Sequence, residues 1–78
     1  MKEFQYRTRE NYYYLHSVFM DKVRNKDKDG AKACLAEMRG MKRLMFTLMT
    51  TMNPGVKGLY EEMASMYRTC LDFIGNMD

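Results

Sequence analysis

The chain has 78 residues, is 46% hydrophobic, and carries 13 Lys and Arg against 10 Asp and Glu, for a formal net charge of +3. That length supports one domain around one modest core, expected over residues 1–78, and the hydrophobic content excludes a disordered chain. No apolar run approaches the roughly 18–20 residues of a membrane span, and Met1-Lys2-Glu3-Phe4-Gln5 lacks the apolar stretch of a secretory signal, so a cytoplasmic protein or a mature fragment is expected.

The first predicted helix covers about residues 8–26. Tyr12, Leu15, Phe19 and Val23 recur at steps of three and four and form its inner stripe, which Val18 widens. Tyr13, Tyr14 and His16 cannot all join that stripe, so at least one aromatic should be partly exposed. The polar run Asn25-Lys26-Asp27-Lys28-Asp29-Gly30 reads as a short turn, with Asp29 or Asp27 able to cap the next helix.

The second predicted helix covers about residues 30–52. Ala31, Met38, Met45 and Met52 fall at one heptad position, and Cys34, Met41 and Leu48 at the other. Asn53 and Pro54 then offer a capping side chain and a preset φ for a new helix. The third predicted helix covers about residues 54–75, with a seam of Val56, Leu59, Met63, Met66, Cys70, Phe73 and Met77. Gly75-Asn76 is its stop.

Short turns force antiparallel neighbours. The expected fold class is therefore all-α, an up-down-up antiparallel three-helix bundle. Leu48 and Met63 should be buried and face each other across the second turn. The chain has 10 Met, and Met fills gaps while specifying packing weakly, so the bundle should adapt its shape. Cys34 and Cys70 both fall on core seams and are expected as buried free thiols, a disulfide between them being the alternative.

Catalysis finds no support. His16 is the sole histidine, and no HExxH, Cys-x-x-Cys, Gly-rich phosphate loop or GxSxG is present. One histidine and two scattered cysteines do not make a zinc site. Glu61 and Glu62 are adjacent, so their side chains diverge by about 100° on a helix and do not pair. Their expected place is the first turn of the third helix, where negative charge is favoured. No catalytic residue, cofactor or metal is expected, and the chain is not read as an enzyme.

Two surface features remain. Lys32, Arg39 and Arg43 lie at spacings of seven and four and form one basic face. They could meet phosphates, with Tyr13 available to stack on a base, but Asp21, Asp27, Asp29 and Glu37 are interspersed. A solvated mixed-charge surface is the plainer reading. Ala33, Ala36, Gly40 and Thr47 point away from the heptad seam. Gly40 in an exposed helix costs about 0.5–1 kcal/mol relative to Ala, and small outward residues let another backbone approach closely. They form a candidate docking strip for a partner helix or a second copy of the chain.

The second half carries a resemblance. Leu44-Met45-Phe46-Thr47-Leu48, a short turn, Gly58-Leu59-Tyr60, then Met66-Tyr67-Arg68 and Leu71 resemble the central helix pair of flagellin-specific export chaperones. The similarity covers about residues 31–76. The family's members are longer, with further helices at both ends, and their turn is longer than Asn53-Pro54-Gly55. The resemblance implies a bundle that cradles an amphipathic segment of a secreted partner, with no enzyme activity and no cofactor. The expected function is thus a small chaperone- or adaptor-like interaction protein that binds a helical segment of another protein, with oligomer formation as a further expectation. The alternative is a regulatory, phage-type protein that docks on a host protein or nucleic acid through its basic face.

Overall fold

Helical periodicity along the chain yields three helices in the computed structural model, which describes residues 2–77. Helix α1 spans Lys2–Arg24 and α2 spans Lys28–Thr51. A single 3₁₀ turn, Pro54–Val56, leads into α3, Lys57–Gly75. The described residues contain no strand. The helices form the expected up-down-up antiparallel bundle, so α1 and α3 run in the same direction and both pack on α2. The molecule measures 40 × 20 × 15 Å. Its long axis is set by helices of 23 and 24 residues, each about 35 Å long at roughly 1.5 Å per residue.

Eleven side chains form the core. Tyr12 and Phe19 come from α1, and Ala31, Cys34, Leu35, Met38 and Met45 from α2. Val56 comes from the 3₁₀ turn, and Leu59, Met63 and Cys70 from α3. Both cysteines are buried free thiols. The Tyr12 hydroxyl enters the core satisfied, donating to the Met63 carbonyl at 3.0 Å. Met41, Leu48 and Met66 are half-buried around this cluster.

Four expectations need correction. Helix α1 begins at Lys2, not near residue 8, and ends at Arg24, close to the expected stop. The apolar stripe marks only the buried half of this helix. Its first turns are helical through strong formers and the Glu3–Arg7 pair, 3.1 Å apart at i,i+4. Met52 and, on α3, Phe73 leave their seams and are 79% and 37% exposed, whereas Leu35, outside the strict heptad, is buried. A straight α-helix drifts about 20° per heptad against a 3.5-residue repeat, so the buried stripe rotates along α2. Met52 also lies past the last helical residue, at the cap.

Leu48 is half-buried, so Leu48 and Met63 are not the fully buried facing pair expected; only Met63 is enclosed. Glu61 and Glu62 lie in the second turn of α3, because the 3₁₀ turn displaces its start to Lys57. The helix dipole therefore does not account for them. Glu61 pairs with Lys57 at 3.9 Å, and Glu62 with Arg9 of α1 at 3.1 Å.

The turns show how the reversal is made. After α1, the Asp27 N–H donates to the Lys22 carbonyl at 2.8 Å and the Lys26 N–H to the Val23 carbonyl at 3.0 Å. This nested pair is a Schellman motif, and Lys26 occupies its left-handed position at φ 58°. Asp27 then caps α2, its carboxylate accepting from the Gly30 N–H at 2.9 Å. A Cβ at Gly30 would press on that carboxylate and on Lys22 Cδ at 2.9 Å, which explains glycine there. At the second turn, Asn53 Oδ1 accepts from the Gly55 N–H at 3.0 Å with Pro54 at the first helical position, as expected.

Candidate interaction surface

The outward side of α2 holds most of the residues singled out from the sequence. Ala33, Ala36, Gly40 and Thr47 are all exposed. An ideal Cβ at Gly40 meets nothing within 4 Å, so the bundle itself does not require glycine there. Thr47 turns its hydroxyl back onto the Arg43 carbonyl at 3.2 Å, leaving its methyl group as the surface it offers.

A surface groove of about 410 Å³ runs between α2 and α3. Leu35, Ala36 and Gly40 line it from α2 and Tyr67 from α3, with Lys32, Arg39 and Arg43 around them. The basic face and part of the small-residue row are therefore one place. A second groove of about 320 Å³ continues toward the second turn, lined by Lys42, Arg43, Phe46, Thr47 and Tyr60. Arg43 belongs to both.

The walls are fixed across the helix pair. Lys42 Nζ sits over the Tyr67 ring, 4.7 Å from its centre, and Phe46 packs on Tyr60 with centroids 5.5 Å apart. Neither groove is lined by a carboxylate or by a residue of α1. Among the described residues, no carboxylate pairs with Lys32, Arg39 or Arg43.

Two candidates fall outside this surface. Ala33 is exposed on α2 but lines neither groove. Tyr13 lies on α1, where its hydroxyl donates to Glu62, which also takes the Arg9 guanidinium at 3.1 Å. The hydrogen bond to Glu62 raises the Tyr13 pKa. The same bond, with Arg9 adding to it, holds Glu62 below the usual carboxylate range. Tyr13 is thus a clasp between α1 and α3, and the structure does not bring it to the basic face.

Sequence reading missed the α3 wall. Tyr60 and Tyr67 lie seven residues apart, one heptad, on a face beside the main seam, and that spacing was the available signal. It also missed the Arg9–Glu62 pair, since nothing local links residues so far apart in the chain. His16 is half-buried on α1. The described residues contain no group of three side chains able to hold a metal ion, and none of their helices is long and apolar enough to cross a membrane. No protein-family model matches the chain, and no curated protein or solved structure matches it either.

Proposed function

We propose that this chain is a small non-enzymatic interaction protein, chaperone- or adaptor-like, that binds an amphipathic helical segment of a partner protein. One observation carries the reading: the α2–α3 groove is lined by Leu35, Ala36, Gly40 and Tyr67, and the open space above Gly40 lets a second backbone approach closely. Helix-in-groove recognition needs such a surface: an apolar trough, polar edges and room for a helix. Nearby apolar side chains add to it. Leu44, one turn from Gly40, is 73% exposed, and Phe46 is 48% exposed at the second groove. The resemblance of Leu44 to Leu48, Gly58-Leu59-Tyr60 and Met66-Tyr67-Arg68 to flagellin-specific export chaperones supports the same reading.

The test is Gly40→Leu. Leu has the higher helix propensity, by about 0.5–1 kcal/mol, and nothing in the bundle obstructs its first carbon. The variant should melt at the same temperature as the parent or higher, yet lose the partner that the parent retains on affinity capture. A Gly40→Leu protein that keeps every parental partner sinks the proposal.

A second reading is favoured by the unpaired cations. Lys32, Arg39 and Arg43 could dock the chain, as a regulatory protein, on nucleic acid or on an acidic protein surface. Salt separates nucleic acid from the helix by degree: counterion release weakens phosphate binding by orders of magnitude between about 50 and 200 mM salt, whereas helix capture, held mainly by apolar burial, weakens far less.

A further inference from the structure

We infer that the segment seated in the α2–α3 groove is an acidic amphipathic helix, its carboxylates placed on Lys32, Arg39 and Arg43. This rests on the helix-binding reading and adds the partner's chemistry. The groove combines apolar lining with one sign of charge: three cations flank Leu35, Ala36 and Gly40, and no carboxylate lines the space. None of the three cations is paired within the described residues, although the chain carries 10 acidic residues and pairs Lys22, Arg7, Arg9 and Arg24 with them. The three cations thus make this surface positive and complementary to an acidic ligand.

Spacing sets the ligand's form. Lys32 and Arg39 lie seven residues apart and Arg39 and Arg43 four apart, giving a cationic row along one edge of α2. From Lys32 to Thr47 the two grooves run about 22 Å along the helix, the length of about 15 helical residues. A helix laid along this trough repeats at i, i+4 and i+7 as α2 does, so its small apolar residues face Ala36 and Gly40 while Glu or Asp flanking them meet the row. Arginine suits this role, since its planar fork takes a carboxylate through two hydrogen bonds. A phosphate backbone is a poorer match, because it would leave Leu44 and Phe46 uncovered beside the site.

The experiment titrates synthetic helical peptides of about 15 residues into isotopically labelled full-length chain and follows its amide resonances. One peptide has an Ala/Leu face flanked by Glu. A second has Gln at every Glu position, a third has Lys there, and oligothymidine is the fourth probe. The acidic peptide should shift the amides of Ala36, Gly40 and Thr47 and bind about tenfold more tightly than the Gln peptide, the sum expected of several exposed ion pairs. The double variant Arg39→Glu/Arg43→Glu should reverse the preference and take the Lys peptide. The peptide series on the parent chain gives the answer even if that variant folds poorly.

Equal binding of the Glu and Gln peptides overturns the acidic partner while leaving helix binding intact. Binding of neither overturns both. Tighter binding of oligothymidine at the same amides overturns the inference in favour of nucleic acid. A dimer formed without peptide and dissolved by Gly40→Leu overturns it in favour of a second copy of the chain.

Discussion

Two kinds of side chain hold this bundle together: those that fill the core and those that fasten one helix to another. Tyr12 does both. Its ring is fully buried beneath α3 and its hydroxyl donates to the Met63 carbonyl, so burial pushes its ionisation well above the ordinary tyrosine range. Tyr12→Phe keeps the ring and removes the bond. The expected loss is about 1 kcal/mol in denaturant melts, the net worth of a hydrogen bond in a folded protein. A loss of several kcal/mol would mean that the hydroxyl organises more than one carbonyl. Glu62 is the second fastener. It gathers Tyr13 and Arg9 from α1 at a partly exposed site, where ion pairs contribute little but fix register. Of these fasteners, only Tyr12 was legible in the sequence, as part of an apolar stripe. The bonds made by Tyr13 and Glu62 join residues 49 positions apart, and no local pattern encodes such a pairing.

At the scale of the element, the turns carry more information than the helix interiors. Asn53 was recognisable as a cap, and Asp27 as one of two candidates beside Asp29, because short acceptor side chains satisfy free N–H groups at a helix start. The turn that ends α1 was recognisable, but the way it closes was not. Its Schellman position is held by Lys26 at φ 58°, where glycine is the usual occupant. A side chain with a Cβ is strained in that conformation by about 1–2 kcal/mol. Lys26→Gly should therefore stabilise the protein by about 0.5–1 kcal/mol, the relief being partly offset by the freer unfolded chain. Thermal melts of the variant and the parent measure it; a lower melting temperature would show that Lys26 contributes more through its side chain than it costs through its backbone. The start of α1 at Lys2 was also missed, since its exposed first turns bury too little to leave an apolar signature.

For the whole molecule, the single core sets both the stability and its dependence on pH. Cys70 is completely buried, and burial pushes its thiol from 9.0 up to about 11. The fold holds the neutral thiol, so the unfolded chain releases this proton first as pH rises. The contribution is therefore present below about pH 9 and is lost as pH climbs towards 11. Over that window the parent should lose about 2–3 kcal/mol that Cys70→Ala does not lose, read as the difference between the two proteins' denaturation midpoints against pH. Parallel pH profiles would show that the thiol ionises without opening the core. The same burial should keep Cys70 slow toward alkylating reagents in the folded state, because the thiolate is the reactive form.

The helix count, their up-down-up order and most of the core were determined by the sequence alone. Apolar residues at steps of three and four, interrupted at Asn25–Gly30 and Asn53–Gly55, leave a chain of this length few other ways to hide them. Tertiary structure decided what depends on relative rotation and on pairing. The rotation of α2 within the bundle buries Leu35 and releases Met52, because a 3.6-residue helix does not hold a strict heptad. The packing of α3 against α2 sets Tyr67 and Tyr60 beside the basic row, turning a list of exposed residues into a groove. It also takes Tyr13 away from that row and commits it to Glu62. Periodicity reports which face of a helix is apolar; only the assembled bundle determines which two faces share a boundary, and the candidate site lies on such a boundary.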